Sequence, residues 1–565
     1  MFKKINFKKS VYICCFFSMG IFAQEKITTE SFDEIFKEWM DPSKPGVAAG
    51  VIHNGKVIYL KGFGSAEIEH NTKITPQTRF QVDDLAKQFT VLAILLLEQE
   101  DKLSLEDDIR KYLPELPDYK TPIKVKHLLN HSSGLNNLDP VKELLGIRRN
   151  DVFTQQDALM LIRSQKQLNF TPGTDFSYHQ SDTELILLAE IVAKASNQTF
   201  PEYASKYIFK PLQMNNTVFN NERNLLENTA TSYNVGEQIR HNPVNDLTLG
   251  VTNLYTSAED LTKWYISFTN PVNKLGELVR KLDTYVTLNN GKMFTSSWGR
   301  MTYGRYFDHA ERGVPKIWQY GLVGGYASNI FRFHTKNFTS FVIGNNNRYN
   351  GMPAMQMAYK ILENDFKEPP SIDFSKIKIK KISVKKLKKY EGFFWNKKNG
   401  LARHIYVNND TLRYKRLESN RETALIPINE NIFQFVVGSD DKIILKFIDN
   451  KFSVVSGESD ASIYNKYQPV TTVNNELNNY TGLFYNKELD VTYTFSVEND
   501  MLVAKNLKNG TTQFHQIIKD IFRSNTFMLS GIEFARNNQN KIIGFGINTD
   551  GVKNLKFEKI FLKNI

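Results

Sequence analysis

Cysteine is nearly absent from this chain of 565 residues, which contains only Cys14 and Cys15. Both lie in an N-terminal leader, so we expect neither disulfides nor thiol chemistry in the mature protein. Long apolar runs are also scarce. The run at 11–22 is shorter than the ~20 residues that a membrane-spanning helix needs. These absences argue against a disulfide scaffold, a thiol enzyme and an integral helical membrane protein.

The leader itself has the pattern of a secretory signal peptide. A lysine-rich start precedes the apolar run, and Ala23 follows it. We therefore expect residues 1–23 to be removed and the protein to be periplasmic or secreted by a bacterium, with no stable membrane insertion afterwards.

The bulk composition is that of a soluble globular protein, with 41% hydrophobic and 23% charged residues. The net charge of +12 is basic, but lysines of the leader and of the segment 376–389 contribute much of it. No nucleic-acid motif accompanies the charge. We expect a small-molecule, peptidoglycan-fragment or carbohydrate ligand, no nucleic acid and no cofactor.

Hydrophobic periodicity predicts an α/β domain with a largely antiparallel sheet. Asn54 and Gly55 form a hairpin turn signal between two strand patterns. Two helix patterns are apolar on all sides, as buried helices are. The strand patterns cover 47–52, 57–61, 331–333 and 340–343, and the helix patterns cover 86–100 and 182–195.

An internal repeat marks the remainder of the chain. The pattern Leu-x-x-Tyr-x-Gly-x-Phe begins at Leu387 and again at Leu477, an offset that also relates Asn409 to Asn499. Each repeat has short strand patterns separated by turn residues, which predicts a small antiparallel β-barrel. The predicted domains are therefore a first domain at 24–370 and barrels at 371–470 and 471–565.

The segment 78–90, Thr-Arg-Phe-Gln-Val-Asp-Asp-Leu-Ala-Lys-Gln-Phe-Thr, resembles the active-site motif T-x-F-x-x-x-S-x-x-K-x-F-T of serine β-lactamases (class C) and penicillin-binding proteins. Further family motifs match over about 30–365, and the two barrels resemble the D-aminopeptidase branch. These further matches are His127-Leu128-Leu129-Asn130-His131-Ser132-Ser133-Gly134-Leu135, Pro172-Gly173-x-x-Phe176-x-Tyr178, Thr256-Ser257-Ala258-Glu259-Asp260-Leu261 and Gly324-Gly325-Tyr326.

The resemblance implies acyl-transfer chemistry, in which a serine attacks a carbonyl while a lysine and a tyrosine move its proton. It assigns the proton-handling roles to Lys87 and Tyr178. It places the substrate-binding positions at His179, Gln180, Tyr320, Gly324 and Gly325.

Three departures from the family pattern change this expectation. Asp84 stands where the serine nucleophile is expected. The second motif, normally Y-x-N, ends in Gln180. The third motif normally has a histidine or lysine before its glycine, but the aligned segment 320–325 starts with Tyr320 and contains neither. Together they argue against penicillin or D-alanyl-D-alanine peptides as substrates.

Asp84 could have an altered catalytic role. Carboxylate attack on an amide would form an anhydride and expel an amine, which is steeply uphill, whereas attack on a sugar carbon is feasible. Glycosidase-like chemistry needs a second carboxyl group roughly 5–9 Å away. The candidates for that group are Asp83, Asp182 and Glu184.

Two other hypotheses remain open. Asp84 could cap the helix and pair with Lys87, which gives a catalytically silent homologue that binds a ligand. Alternatively, Ser177 or Ser181 could act as the nucleophile of a conventional esterase or D-aminopeptidase. The spacing of two histidines, at 127 and 131, could suit zinc, but the resemblance makes both structural, so we expect no metal.

Overall fold

The computed structural model describes residues 29–177, 182–269, 274–296, 298–304, 306–347, 352–367, 379–397, 400–417, 419, 421–436, 443–456, 460–470, 474–524, 526–549 and 551–561. The leader lies outside this range. No helix in the described part is both long enough and apolar enough to cross a bilayer.

In its described residues, the first domain combines ten α-helices with an eight-stranded antiparallel sheet and several short strand pairs. Its helices are α1 Thr29–Asp33, α2 Ala86–Gln99, α3 Val125–Leu129, α4 Leu138–Leu144, α5 Gln155–Ser164, α6 Asp182–Ser196, α7 Phe200–Ala204, α8 Ala258–Ser267, α9 Lys274–Lys281 and α10 Met352–Ile361. Its strands are β1 Val47–His53, β2 Lys56–Phe63, β3 Ser65–Glu67, β4 Thr72–Lys73, β5 Arg79–Val82, β6 Phe153–Thr154, β7 Val218–Phe219, β8 Tyr233–Val235, β9 Ile239–His241, β10 Asp246–Leu247, β11 Leu254–Ser257, β12 Thr295–Ser296, β13 Gly299–Met301, β14 Phe307–Glu311, β15 Val314–Val323, β16 Tyr326–Phe333 and β17 Phe338–Gly344.

The large sheet has the order β12-β13-β14-β15-β16-β17-β1-β2, so the first hairpin joins strands from the end of the domain. Asn54 and Gly55 both have positive φ, as a type I′ hairpin turn requires. The predicted strands and the antiparallel sheet are confirmed.

Helices cover both faces of this sheet. Alternate residues of β1 point in opposite directions. Ala48 packs with the core of α2, α6 and α8, whereas Val47 and Ala49 pack with α10 and the N-terminal helix. The predicted helices at 86–100 and 182–195 are α2 and α6, and both are buried in the larger core.

Two closed eight-stranded barrels follow. The first begins with α11 Val384–Leu387 and contains β18 Gly392–Asn396, β19 Leu401–Asn408, β20 Thr411–Arg416, β21 Glu422–Pro427, β22 Ile432–Phe435, β23 Ile443–Ile448, β24 Lys451–Ser456 and β25 Ser462–Tyr467. The second begins with α12 Asn474–Leu477 and contains β26 Gly482–Asn486, β27 Val491–Glu498, β28 Met501–Asn506, β29 Gly510–Ile518, β30 Ile521–Arg523, β31 Gly531–Arg536, β32 Ile542–Thr549 and β33 Val552–Ile560.

The repeat motif has a packing role, as the sequence predicts. Its tyrosine and phenylalanine are buried in each barrel core, where Phe394 and Phe484 are the counterparts. Its glycine has a positive φ in both copies, 146° at Gly392 and 130° at Gly482, a backbone region that favours glycine.

Candidate functional site

The candidate site lies where the start of α2 meets the start of α6 and the edge of β15. Asp84 lies two positions before Ala86, the first residue of α2, and Lys87 lies in the first turn of that helix. The Lys87 Nζ is 2.5 Å from Asp84 Oδ1 and 3.4 Å from Asp182 Oδ1. The structure therefore brings Asp182, which is distant in sequence, next to the local pair of Asp84 and Lys87.

These groups are only partly accessible. The Lys87 side chain is 4% exposed, whereas those of Asp84 and Asp182 are 23% and 26% exposed. The ammonium is thus buried beneath two carboxylates that reach the cleft surface.

Electrostatics keep Lys87 protonated. Burial opposes its charge, but the carboxylates of Asp84, Asp182 and Asp83 together raise the pKa of Lys87 above its ordinary value. A lysine held as an ammonium cannot accept a proton, so it cannot serve as the general base for a nucleophile.

The neighbouring acids respond to the same surroundings. Burial, followed by repulsion from Asp84, raises the pKa of Asp83 well above its ordinary value. Burial also raises the pKa of Asp182, against the lowering effect of Lys87, to about 6. Asp139 adds a further unfavourable negative charge near both groups.

A buried amide relay holds the backbone of Asp84. Trp264 Nε1 donates to Gln88 Oε1 at 2.6 Å, and Gln88 Nε2 donates to Gln319 Oε1 at 2.9 Å. Gln319 Nε2 then donates to the Asp84 carbonyl oxygen at 2.6 Å. The relay fixes the main chain at the site, and sequence reasoning missed it although Gln88 follows Lys87 directly in the motif.

Strand β15 forms one wall of the site. A Cβ at Gly321 would lie 3.1 Å from the Asp84 nitrogen and 2.8 Å from Ser328 Oγ, so glycine permits this close approach. Tyr320 is 37% exposed, and burial together with the Asp84 charge raises its pKa. Tyr320 thus lies near the carboxylate of Asp84, and its substrate-binding role stays a prediction.

The two glycines predicted to bind substrate form the β15–β16 turn. A Cβ at Gly325 would lie 2.2 Å from the Tyr233 carbonyl oxygen, and one at Gly324 would lie 2.7 Å from Val244 Cγ2. Close packing against this segment therefore explains why both are glycine, and ligand contact stays a prediction.

Several predicted site residues lie outside the described residues. These are Tyr178, His179, Gln180 and the alternative nucleophile Ser181. The other alternative, Ser177, is 5% exposed, and its hydroxyl has no hydrogen-bond partner in the described part of the chain. Its main-chain nitrogen donates to the His131 carbonyl oxygen at 2.8 Å.

Two of the possible second carboxyl groups, those of Asp182 and Glu184, lie in different surroundings. Asp182 shares the Lys87 ammonium with Asp84, whereas Glu184 faces another cluster. There Glu184 contacts His131 Nδ1 at 2.5 Å and accepts from the Ser133 hydroxyl at 2.5 Å. All three residues are fully buried, so this cluster belongs to the core.

The two motif histidines have different partners. His127 Nδ1 accepts from the Lys124 nitrogen at 3.1 Å, and its Nε2 is 3.3 Å from Asn289 Oδ1. His131 pairs with Glu184. No metal-binding group of three or more histidine, cysteine or acidic side chains occurs among the described residues.

Comparison with known proteins identifies the family. The family model described as beta-lactamase matches residues 32–363, more than half of the chain. The chain belongs to the beta-lactamase family. The match agrees with the motifs and with the sheet and helix arrangement of the first domain.

Among curated relatives, Protein flp of Staphylococcus aureus is 28% identical over 265 residues, which cover 45% of this chain and 52% of that protein. PbpX of Bacillus subtilis, named as a penicillin-binding protein, is 27% identical over 344 residues, 60% of this chain and 80% of that protein. The chain spans about half the length of the first of these relatives.

A solved structure extends the likeness beyond the first domain. The octameric penicillin-binding protein homologue from Pyrococcus abyssi aligns with a TM-score of 0.54 and 24% identity. The alignment covers 78% of this chain and all of that one. At this identity the likeness supports the fold alone.

Proposed function

We propose that this protein is an exported, noncovalent binder of an envelope ligand, a peptide or a glycan, at the Asp84 cleft. The observation that carries the proposal is the 2.5 Å contact between Asp84 and the buried Lys87 ammonium. Aspartate at the position of the family's serine, locked onto the family's lysine, leaves the site without an acyl-transferring pair. Export follows from the signal-peptide pattern of the leader.

Charge supports a particular kind of ligand. Asp83, Asp84 and Asp182 surround one ammonium, and the 320–325 segment carries no cationic side chain. An anionic ligand would meet repulsion here. The proposed ligand therefore approaches with a positively charged amine or with neutral hydrogen-bond donors, and Tyr320 supplies an exposed aromatic contact.

Glycosidase-like hydrolysis by Asp84 with Lys87 and Tyr178 is the second candidate. Asp182 supplies the nearby second carboxyl group that such chemistry requires. However, the Lys87 ammonium contacts both carboxylates and occupies the space between them. A sugar ring that entered between the two acids would have to displace that ammonium, which favours binding over hydrolysis.

The test combines binding and turnover on peptidoglycan sacculi. The mature protein should cosediment with sacculi and release no soluble fragments detectable by mass spectrometry. Asp84→Asn should weaken the affinity by about three- to tenfold, roughly 0.7–1.4 kcal/mol, because it removes one of the negative charges that favour a cationic ligand. The exposed Asp118→Asn serves as the matched control, because its side chain is 55% exposed at a distant surface pair.

Fragment release by the wild type that disappears in Asp84→Asn, with binding intact, would establish hydrolysis and refute the proposal. Failure to bind sacculi would also count against it.

A further inference from the structure

The second barrel reaches the first domain through its β32–β33 turn. The Gly551 carbonyl oxygen accepts from the Asn137 nitrogen at 2.8 Å and from Asn169 Nδ2 at 3.1 Å. The Lys553 nitrogen donates to Asn169 Oδ1 at 2.5 Å. Asn169 Nδ2 also donates to the Leu135 carbonyl oxygen at 3.2 Å, so the turn is clamped between two loops.

Apolar packing extends this contact. Val141 and Leu144 of α4 are fully buried members of the core of the second barrel. Tyr493 OH donates to the Leu144 carbonyl oxygen at 2.9 Å, and Asn509 Nδ2 donates to that of Glu143 at 2.8 Å. The interface therefore combines a shared core with satisfied main-chain groups, which gives it a fixed geometry.

A short path leads from the turn to the candidate site. The residues on either side of Asn137 both bond to one side chain: Thr183 Oγ1 donates to the Asn136 carbonyl oxygen at 2.8 Å and accepts from the Leu138 nitrogen at 3.1 Å. Thr183 directly follows Asp182, whose carboxylate contacts Lys87. The loop held by the barrel thus holds the first turn of α6.

We propose that Asn169 and the Gly551 turn are positioning elements that fix Asp182 against Lys87, so that the second barrel is a structural part of the site. This inference rests on the proposed function only in taking the group around Lys87 as the functional site. The first barrel offers a contrast, because its Asp460 makes an ion pair with Lys292 in which both side chains are more than half exposed. Ion pairs that are this exposed contribute little to stability.

The test uses full-length protein and needs no ligand. The Asp182 carboxyl group is followed by NMR with ¹³C-labelled aspartate, assigned with Asp182→Asn. Asn169→Ala should shift the Asp182 titration midpoint by roughly half a pH unit or more. It should also speed amide hydrogen exchange at 134–139 and 182–184. Asp460→Asn, the control on the first barrel, should leave both unchanged.

A graded variant protects the test against misfolding. Asn169→Gln keeps an amide donor and acceptor on a side chain that is one methylene longer, so it should give a smaller shift in the same direction. If neither variant, while folded, changes the Asp182 titration or local exchange, the positioning role is wrong. Because neither measurement involves turnover, discovery of hydrolysis would leave this inference standing.

Discussion

Asp182 and Glu184 lie two positions apart on α6, yet they belong to different regions of the molecule. Positions i and i+2 point to different sides of a helix. Asp182 is partly exposed at the cleft and shares the Lys87 ammonium, whereas Glu184 is fully buried with His131 and Ser133. One helical turn thus supplies one acid to the candidate site and another to the core.

Burial is the largest influence on the pKa values of Asp182 and Glu184, but the groups that oppose it differ. It raises the pKa of Asp182 to about 6, against the attraction of Lys87, and raises that of Glu184 to about 8, against hydrogen bonds from Ser133. Glu184 has no lysine or arginine ion pair among the described residues, and burial raises its pKa further than that of Asp182. Glu184 is a neutral core group, and Asp182 is a charged one above pH 6.

Among these variants, Glu184→Ala should lower the stability of the protein the most. It leaves the buried polar groups of His131 and Ser133 without their partner, at an expected cost of about 3–5 kcal/mol in the free energy of unfolding. Denaturant titration measures this cost. Glu184→Gln, which keeps the size and the acceptor for Ser133, should cost only about 1 kcal/mol. Equal losses in the two variants would contradict the core role of the cluster.

Lys87→Met should have a smaller effect on stability, about 2 kcal/mol, because the two carboxylates it leaves behind can reach water or take up a proton. The pKa of Asp182 should rise in this variant, since Lys87 lowers it in the wild type. Aspartate ¹³C NMR measures that rise. An unchanged Asp182 titration would show that the shared ammonium is not what holds the cleft acid in its charged form.

The pH dependence of stability separates the two acids. Because the folded pKa of Glu184 is raised from 4.5 to about 8, its contribution is complete below pH 4.5 and is lost as the pH rises to about 8. The slope for one proton is at most about 1.4 kcal/mol per pH unit. The raised pKa of Asp182 also makes stability fall as the pH rises, but over a lower range, from pH 3.8 to about 6.

Denaturant titrations across that range test this assignment. Glu184→Gln should flatten the dependence between pH 6 and 8, where Asp182 no longer contributes, whereas Asp182→Asn should flatten it only below pH 6. If the wild type and Glu184→Gln lose stability equally between pH 6 and 8, Glu184 is not the neutral core acid.

Asp84→Ser should produce the smallest change. Restoring a hydroxyl leaves Gln180 and Tyr320 at positions where the family has asparagine and a cation, so esterase activity should rise by less than about tenfold, or 1.4 kcal/mol. Hydrolysis of a chromogenic ester measures it, with Asp84→Ala as the matched control. Robust activity from the single serine would show that the other two positions are permissive.

Local patterns and motifs in the sequence predict most of the fold. The Asn54-Gly55 turn and the buried helices α2 and α6 follow from signals within short segments, and the two barrels follow from short strand patterns that repeat along the chain. The pairing of Asp84 with Lys87 could also be predicted, because the two residues are only three positions apart at the start of α2.

Contacts between segments that are distant in the chain could not be predicted from local sequence patterns. Asp182 was one of three possible second acids, and only the fold shows that it shares Lys87 while Glu184 turns into the core. The amide relay through Gln88 and the clamp at Gly551 join residues hundreds of positions apart. Neither has a local sequence signal, because each partner alone is an ordinary buried amide or turn glycine.

Intact-protein mass spectrometry with a penicillin-type covalent probe tests the central claim most directly. An active β-lactamase relative serves as the positive control. With Asp84 paired to a protonated Lys87, the mature protein should keep its unmodified mass after prolonged incubation. A stoichiometric adduct would show that acyl transfer proceeds and would contradict the account.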